Sequence, residues 1–369
     1  MHVLVIGAGV VGVAIADELA TRGAGVSVLD MRSPGRGASQ ASAGTLVPYI
    51  EAHEDTPLLP LAARSLAMYD EFVERLASRT NLAIEYDRSG SLDVALTGDD
   101  TTRLRVSKAW LDARGVANEW LDGAALASFE PAVTPAAQGG LFVKSHGFVG
   151  VSSLVRALVE SARLAGATFE SPVEAAAVMP RHDGVDVRAG DRSYVADHVV
   201  IAAGSWSRRI RVAGVEGPPV RPIRGQLLHL RRPGPGRPSR IVWSSRCYTV
   251  PWSDGSLLVG ATVEDVGFDE RSTVEGVRDL TTAVAELLPA ASAAAVEAVR
   301  VGLRPASPDG LPIIGPLARA PRVTVATGHY RNGVLLAPLT AKLVADALVD
   351  NVVDPALSST SPDRFASRA

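Results

Sequence analysis

The stretch VLVIGAGVVGVAIADELATRGAGVSVLD, residues 3–30, decides the fold of this chain. Its glycines Gly7, Gly9 and Gly12 have the spacing G-x-G-x-x-G, with an apolar run before them and an apolar pattern of helical period after them. In such a turn the first glycine allows a tight bend, the second lets the backbone approach a pyrophosphate, and the third lets the helix pack closely on the strand. The order therefore predicts a strand, a glycine turn and a helix that open an α/β fold.

An acidic residue, Asp30, ends the second predicted strand of this stretch. A carboxylate there can accept hydrogen bonds from both ribose hydroxyls of an adenine nucleotide. A purely structural glycine turn is the alternative interpretation. The preceding strand, the following helix and the acidic strand end together favour a dinucleotide site.

The length and composition indicate a large globular protein. The chain has 369 residues, more than twice the roughly 150 residues of a typical domain, so we expect two domains. Apolar residues make up 47% and charged residues 21%, which is enough for a large core and argues against disorder. The net charge of −3 argues against a strongly basic nucleic-acid surface.

The cysteine count, the lengths of the apolar runs and the histidine spacing argue against a disulfide, a membrane span and a metal site. With a single cysteine, Cys247, no internal disulfide can form, which suits a reducing compartment and predicts a cytoplasmic protein. The first strand begins at residue 2 or 3, so we expect no signal peptide, and the absence of an apolar run of about 18 residues predicts no membrane span. The seven histidines lack metal-type spacing, so no metal site is expected.

The polar segment 32–45 follows the nucleotide strand directly and contains Ser39, Ser42 and Thr45. It is either a surface loop or a loop that packs against the cofactor. Its small residues and hydroxyls suit a phosphate and a flat ring, and its position beside the glycine motif favours the cofactor interpretation.

Strand signals recur at short spacing over residues 220–263 and predict an antiparallel sheet in a second domain. A Pro/Gly/Arg tract at 231–240 interrupts them. Because this tract has no interleaved aromatic residues, we interpret it as a solvated hairpin loop rather than a nucleic-acid surface.

Two apolar strands with similar ends predict how the nucleotide domain is completed. Residues 198–206 and 322–330 each run from an apolar strand through a small residue and a glycine to an aromatic residue, so we expect neighbouring strands of one parallel sheet. The antiparallel domain is then inserted into a discontinuous nucleotide domain. The predicted boundaries are 1–83, 148–219 and 304–369 for the nucleotide domain, and 84–147 and 220–303 for the inserted one.

Four further local patterns predict secondary structure. Residues 57–79 have the apolar spacing of one amphipathic helix, and 120–130 that of a short helix closed by a proline. Residues 139–149 read as a strand pair. Ser272 and Glu275 have the spacing of a capping box at a helix start.

The turn at 328–336 offers backbone N–H groups and a helix N-terminus to a developing negative charge. Arg331 in this turn could hold a carboxylate, or it could be a surface arginine paired with an acid. Tyr248 and Cys247 lie on an apolar strand, where both are commonly core residues. Arg304, between a leucine and a proline, is predicted to lie in a short turn.

Five segments resemble the D-amino-acid oxidase superfamily of FAD-dependent amine oxidases, and within it the glycine oxidase (ThiO) branch that serves thiamine biosynthesis. The resemblance extends over almost the whole chain. The segments are VIGAGVVG at 5–12, ASAGTLVPYIE at 41–51, CYTVPWSDGSLLVGATVEDVG at 247–267, GLRPASPDGLPIIG at 302–315 and ATGHYRNGVLLAP at 326–338.

The resemblance implies one noncovalent FAD. The implied cofactor residues are Gly7, Gly9, Val10, Val11, Gly12, Asp30 and Met31 at the ADP half, Ala38, Ser39, Ala43, Gly44 and Thr45 at the pyrophosphate and flavin, Val173 at the adenine, Ala203, Gly204 and Trp206 along the cofactor, and His329, Arg331, Asn332, Gly333, Val334 and Leu335 at the pyrimidine end of the flavin.

The resemblance also implies a reaction. Arg331 would pair with the substrate carboxylate, Tyr248 would donate a second hydrogen bond to it, and Arg304 would border the pocket. Glycine or another small amino acid or secondary amine would be oxidised by hydride transfer to the flavin. The products would be a 2-oxo acid, ammonia or an amine, and hydrogen peroxide from O2. Relatives suggest a homotetramer or a dimer.

Other activities fit the same motifs. Within the superfamily, a D-amino-acid or sarcosine oxidase or dehydrogenase is the alternative. A flavoprotein that binds a metabolite without turnover and an NAD(P)-dependent dehydrogenase are the alternatives from other classes.

Overall fold

The computed structural model describes residues 1–50, 56–231 and 236–365. Over these residues the strands are β1 His2–Ile6, β2 Gly25–Leu29, β3 Thr45–Leu46, β4 Tyr86–Asp87, β5 Ser91–Ala95, β6 Asn118–Asp122, β7 Gly139–Val143, β8 Gly147–Val149, β9 Thr168–Glu170, β10 Ala177–Pro180, β11 Val185–Ala189, β12 Arg192–Ala196, β13 His198–Ile201, β14 Arg211–Val212, β15 Arg221–Arg231, β16 Ile241–Trp243, β17 Tyr248–Pro251, β18 Ser256–Gly260, β19 Ala295–Ala306, β20 Ile313–Leu317 and β21 Ala320–Thr327.

Helices connect these strands over the same residues. They are α1 Val10–Thr21, α2 Leu58–Ala67, α3 Tyr69–Thr80, α4 Gly98–Asp112, α5 Gly123–Phe129, α6 Val151–Leu164, α7 Val274–Leu287, α8 Ala337–Leu348 and α9 Ala356–Thr360, with short 3₁₀ helices at Ala38–Ala41, Gly204–Arg209, Pro289–Ala293 and Pro362–Phe365.

A six-stranded sheet in the order β20-β21-β13-β1-β2-β9 carries the glycine motif. β1 pairs in parallel with β2 and β13, and β13 pairs in parallel with β21, so the predicted neighbours are confirmed. These strands are rich in valine and isoleucine, and Val3, Leu4 and Val5 are fully buried, as expected for a parallel sheet covered on both faces.

Helix α1 begins directly after the glycine turn and packs between α6 and α8 on one face of this sheet. A Cβ at Gly12 would lie 1.9 Å from the carbonyl oxygen of Gly7, so only glycine allows this close approach of helix and turn. The predicted order of strand, turn, helix and strand is confirmed.

The second large sheet has eight strands in the order β19-β15-β18-β17-β16-β5-β7-β6. Its pairs are antiparallel except that β16 and β5 run parallel. The antiparallel sheet predicted over residues 220–263 is therefore confirmed, and strands from residues 91–143 extend it. Smaller sheets, β12-β11-β10-β14 and β3-β8-β4, complete the fold.

The single helix predicted over 57–79 is wrong, because the structure has α2 and α3 with a break at Met68. The N–H of Met68 bonds to the carbonyl of Ser65 at 3.1 Å, which is the tighter spacing of a 3₁₀ turn. Apolar periodicity continues across such a turn and does not reveal it.

Two other local predictions need correction. The helix predicted over 120–130 is wrong in its first part, which forms strand β6. The following helix α5 begins after Asp122, whose carboxylate accepts a hydrogen bond from the N–H of Ala125 at 3.1 Å and caps the helix. The strands predicted over 139–149 exist as β7 and β8, but they lie in different sheets and do not pair with each other.

The predicted capping residue of α7 is wrong by one position. The Thr273 hydroxyl, not that of Ser272, accepts the hydrogen bond from the N–H of Gly276 at 3.1 Å. Gln226 donates to the same hydroxyl at 2.9 Å, so contact with the sheet selects the threonine.

Part of the Pro/Gly/Arg tract, residues 232–235, lies outside the described residues. At its end, the N–H and hydroxyl of Ser239 donate to the buried carboxylate of Glu130 at 3.0 and 2.7 Å. Arg240 packs over the ring of Phe129 with its Cζ 4.0 Å from the centroid. This end of the tract is therefore attached to the protein by side-chain contacts, while Gly236, Arg237 and Ser239 remain exposed to solvent, as predicted for a solvated loop.

Candidate functional site

A cavity lies at the carboxyl ends of β1, β13 and β21, where an open parallel sheet binds its ligands. The volume that the centre of a water molecule can occupy inside this cavity is about 270 Å³. The predicted cofactor residues that line it are Gly7, Gly9, Val10, Val11, Asp30, Met31, Ala38, Ser39, Ala43, Thr45, Val173, Ala203, Gly204, Trp206, His329, Arg331, Asn332, Gly333, Val334 and Leu335. The predicted substrate residues Tyr248, Arg304 and Arg331 line the same cavity.

Two predicted cofactor residues, Gly12 and Gly44, are not among the lining residues. Gly12 packs on the turn as described above. A Cβ at Gly44 would lie 1.8 Å from the carbonyl oxygen of Val149, and its φ of +73° favours glycine. Both glycines shape the site through backbone packing.

The N-terminus of α1 faces the cavity through the glycine turn. The N–H of Val10 donates to the hydroxyl of Ser39 at 2.9 Å, which joins the helix start to segment 32–45. A Cβ at Gly9 would meet only that hydroxyl, at 3.5 Å, so the backbone here remains open to a large ligand. Backbone N–H groups and the positive end of a helix suit a pyrophosphate.

The Asp30 carboxylate is placed to receive hydroxyl groups. Its Oδ2 accepts from the N–H of Ala8 at 2.6 Å and its Oδ1 accepts from the N–H of Arg32 at 2.7 Å. Burial raises the pKa of Asp30, and these two hydrogen bonds oppose that effect. Each carboxylate oxygen can accept a further hydrogen bond, so the group can bind two ribose hydroxyls.

Residues 329–335 after β21, here called the corner, accept hydrogen bonds from side chains of α2 and α3. The buried hydroxyl of Tyr69 donates to the carbonyl of Val334 at 2.5 Å, and that of Ser65 donates to the carbonyl of Leu335 at 2.6 Å. The C=O and N–H of one trans peptide point in opposite directions, so the N–H of Leu335 points away from Tyr69. Leu335 lines the cavity, and the corner thus offers an N–H donor at a helix start.

His329 lies in the same corner and is buried. Burial lowers its pKa to about 4, so the imidazole is neutral at pH 7. Its Nε2 and the hydroxyl of Thr340 are 3.0 Å apart, within hydrogen-bond distance. Because the ring is neutral, His329 adds no positive charge to the corner.

Tyr248 and Arg304 enter the cavity from the eight-stranded sheet, and two glycines make room for them. A Cβ at Gly260 would lie 2.3 Å from the hydroxyl of Tyr248, and one at Gly225 would lie 2.3 Å from a guanidinium nitrogen of Arg304. Arg304 lies on strand β19, paired with β15, so the turn predicted for it is wrong. It donates to the carbonyl of Thr262 at 3.0 Å, which fixes its direction. The side chain of Arg331 is exposed at the cavity.

Cys247 is a core residue. It is buried, and burial raises the pKa of its thiol to about 11, so it is not a reactive thiolate. Cys247 therefore belongs to the core, whereas its neighbour Tyr248 lines the cavity.

Sequence reasoning missed several lining residues, including Trp243, Glu174 and Arg209, and it gave Arg32 no role of its own within segment 32–45. The ring of Trp243 lies 4.5 Å from that of Tyr248. Trp243 is the last residue of the apolar strand β16, and in the sequence it looks like a core residue. No sequence signal therefore separated a core role from a role in lining the cavity. Arg32 follows Asp30 closely, and that closeness was an available signal.

Within the described residues, no helix is both long and apolar enough to cross a membrane, and no group of three or more His, Cys, Asp or Glu side chains could hold a metal ion.

The cavity residues fit FAD: a carboxylate with free acceptor capacity, an open glycine turn at a helix start and a second helix start at the far corner. Residues 2–347 match the family described as FAD dependent oxidoreductase, and the chain belongs to this family. The resemblance to the D-amino-acid oxidase superfamily and the predicted α/β fold are confirmed.

Relatives within this family are similar to the chain over its length. It is 33% identical to the glycine oxidase of Geobacillus kaustophilus over 93% of this chain and 92% of that protein. The crystal structure of that enzyme matches with a TM-score of 0.92 over 99% of both chains. The crystal structure of iminodiacetate oxidase from Chelativorans sp. BNC1 is 27% identical, with a TM-score of 0.86 over 98% of both chains.

The bifunctional protein ThiO/ThiG of Nostoc sp. is 34% identical over 96% of this chain. The chain spans about half of that relative's length, 54%. The similarity therefore concerns one part of the longer protein.

Proposed function

We propose that this chain oxidises glycine, or another small amino acid or secondary amine, with FAD and O2. The observation that carries the proposal is that Tyr248, Arg304 and Arg331 line one cavity with the glycine turn and the 329–335 corner. The names of the glycine oxidase relatives support the same activity. For glycine, O2 and water are consumed, and glyoxylate, ammonia and hydrogen peroxide form.

The substrate is held by its carboxylate. Arg331 pairs with it, Tyr248 donates a second hydrogen bond, and Arg304 adds positive charge to the pocket wall. These contacts fix the α-carbon, and positioning supplies most of the rate, so no acid–base side chain is needed. When bound, FAD supplies a two-electron acceptor for the α-hydrogen and passes the electrons to O2.

The cofactor contacts are assigned in the same proposal. Asp30 receives the ribose hydroxyls, with Met31 beside it and the backbone of Val173 at the adenine. Gly9, Val10 and Val11 receive the pyrophosphate at the start of α1. The corner residues His329 to Leu335 bind the pyrimidine end of the flavin, where a helix N-terminus stabilises added negative charge.

The two large sheets support a division of the chain into two domains. We assign residues 1–83, 148–219 and 304–369 to the FAD-binding domain, and 84–147 and 220–303 to the substrate domain. Strands of the six-stranded sheet fall within the first set and most of the eight-stranded sheet within the second, which supports this division. Limited proteolysis tests it, because cleavage at the boundaries should release fragments that remain associated.

We place the enzyme in the cytoplasm and in thiamine biosynthesis, as a homotetramer or a dimer. The single cysteine and the ThiO/ThiG relatives support this placement. Light scattering on the purified protein separates a monomer, which would contradict the proposed assembly, from the two expected states.

The test of the activity is a substrate panel read by hydrogen peroxide formation. Glycine, sarcosine, D-alanine, D-proline and iminodiacetate are compared at equal concentrations. Peroxide from glycine at the highest kcat/KM supports the proposal, whereas a preference for another compound moves the enzyme to the alternative substrate class. Turnover with an artificial electron acceptor but without peroxide would identify a dehydrogenase. A flavin band that glycine does not bleach anaerobically would contradict glycine oxidation altogether.

A further inference from the structure

Five side chains form a cluster, here called the clasp, beside the end of the cavity that Asp30 marks. They are Arg32, Trp206, Arg209, Phe268 and Glu270. Arg32, Trp206 and Arg209 line the cavity, whereas Phe268 and Glu270 lie in the loop that follows β18 of the eight-stranded sheet.

The central contact of the clasp is a two-point ion pair. The guanidinium of Arg32 donates from Nη1 to Oε1 of Glu270 at 2.9 Å and from Nη2 to Oε2 at 2.6 Å. The two side chains are 31% and 30% exposed, so solvent screens the pair only in part. Parallel hydrogen bonds of this kind fix direction as well as distance.

Aromatic rings extend the clasp across the cavity wall. The Cζ of Arg32 lies 4.8 Å from the centroid of the Trp206 ring, and Trp206 lies 5.5 Å from Phe268. The Cζ of Arg209 lies 3.6 Å from the Phe268 centroid, so both arginines are placed for cation–π contacts. Two lining residues from distant segments, Arg32 and Trp206, therefore touch each other.

A buried arginine holds the base of the loop that carries Phe268 and Glu270. Arg224 pairs with Glu264 and, at 3.1 Å, with Asp269, and it donates to the carbonyl of Arg271 at 3.1 Å. Its side chain is 5% exposed. The loop is thus anchored on both sides of Glu270, which presents this carboxylate to Arg32.

We propose that the clasp retains the cofactor by closing the protein over the adenosine half of FAD. Arg32 follows two positions after Asp30, the residue assigned to the ribose, and Trp206 borders the same part of the cavity. Release of the nucleotide then requires Arg32 and Glu270 to separate. The inference rests on the FAD site proposed above and adds residues of the second sheet to it.

The test is the rate at which FAD leaves the purified holoenzyme, measured from the rise in flavin fluorescence after dilution. Glu270→Gln removes the charge and keeps the size of the side chain. We expect about two- to fivefold faster release, the upper part of the range for a solvent-exposed ion pair, because the two-point geometry favours a strong contact. The matched control is Glu275→Gln on α7, an acid with 79% exposure that pairs only with a neighbour on its own helix among the contacts described, and it should release FAD at the wild-type rate.

Added salt gives a second readout. Because ions screen the pair, high ionic strength should accelerate release from the wild type and have a smaller effect on Glu270→Gln. Arg32→Lys keeps the charge but not the two-point geometry and should give an intermediate rate. If Glu270→Gln does not fold, Arg32→Lys decides the question.

Wild-type release rates in both variants would overturn the clasp. The FAD site and the substrate are tested separately in the same samples. A wild-type protein without a flavin spectrum would overturn the FAD site, and a flavin-loaded protein without peroxide from glycine would overturn only the substrate assignment.

Discussion

The hydroxyl of Tyr69 on α3 donates a hydrogen bond to the carbonyl of Val334, although 265 positions separate the two residues. Both are buried, and burial raises the pKa of Tyr69 well above that of an ordinary tyrosine. The bond fixes the corner after β21, so a helix that does not itself line the cavity controls how that corner presents its N–H groups.

Tyr69→Phe should therefore destabilise the protein. It removes one of two donors to the buried carbonyl of Val334, which keeps the N–H of Ala337 at 3.1 Å. We therefore expect a loss of about 0.5–1.5 kcal/mol in the free energy of unfolding. Urea unfolding followed by circular dichroism measures it. Tyr194→Phe is the control, because the Tyr194 hydroxyl bonds Glu170 in an exposed position. Equal stabilities of the two variants would contradict the supporting role of Tyr69.

Arg331→Ala should raise the KM for glycine and leave FAD bound. A hydrogen bond to a charged group contributes about 1.5–3 kcal/mol, so we expect KM to rise roughly ten- to a hundredfold. Because Arg331 is exposed at the cavity, the lower part of this range is expected. Arg319→Ala, at another exposed arginine, should leave KM unchanged. An unaltered KM in Arg331→Ala would remove its assigned role.

The nucleotide half of the site could be predicted because local rules specify it. The glycine spacing, the helix after it and Asp30 all act within one short stretch, and backbone packing at Gly12 enforces that spacing. The parallel pairing of β13 with β21 was also predictable, since both strands are rich in valine and end alike.

The clasp and the supports of the corner could not be predicted. Glu270 and Arg32, or Tyr69 and Val334, meet only through the arrangement of whole sheets and helices. The break at Met68 and the strand β6 were missed for a related reason: a single tightened turn or a neighbouring strand outweighs local periodicity.

Gly260→Ala should weaken substrate binding through Tyr248. The added Cβ would lie 2.3 Å from the Tyr248 hydroxyl, and the ring must move to avoid it. Displacing a donor by even about 1 Å can cost on the order of a hundredfold in rate. We expect a lower kcat/KM for glycine with an unchanged flavin spectrum. Gly98→Ala, where a Cβ meets nothing within 4 Å, is the control. Identical kinetics for both variants would argue against a substrate contact of Tyr248.

The neutral state of His329 should make stability depend on pH in acid. Its pKa is about 4 in the folded protein and about 6.5 when unfolded, so the unfolded state binds more protons between these values. The contribution is complete above pH 6.5 and is lost as the pH falls towards 4. From pH 7 to pH 5 this amounts to about 2 kcal/mol. His329→Gln should flatten the dependence by that amount in urea unfolding at the two pH values, whereas His182→Gln, at an exposed histidine, should not. A slope in His329→Gln equal to that of the wild type would show that this imidazole is charged or exposed in the folded protein.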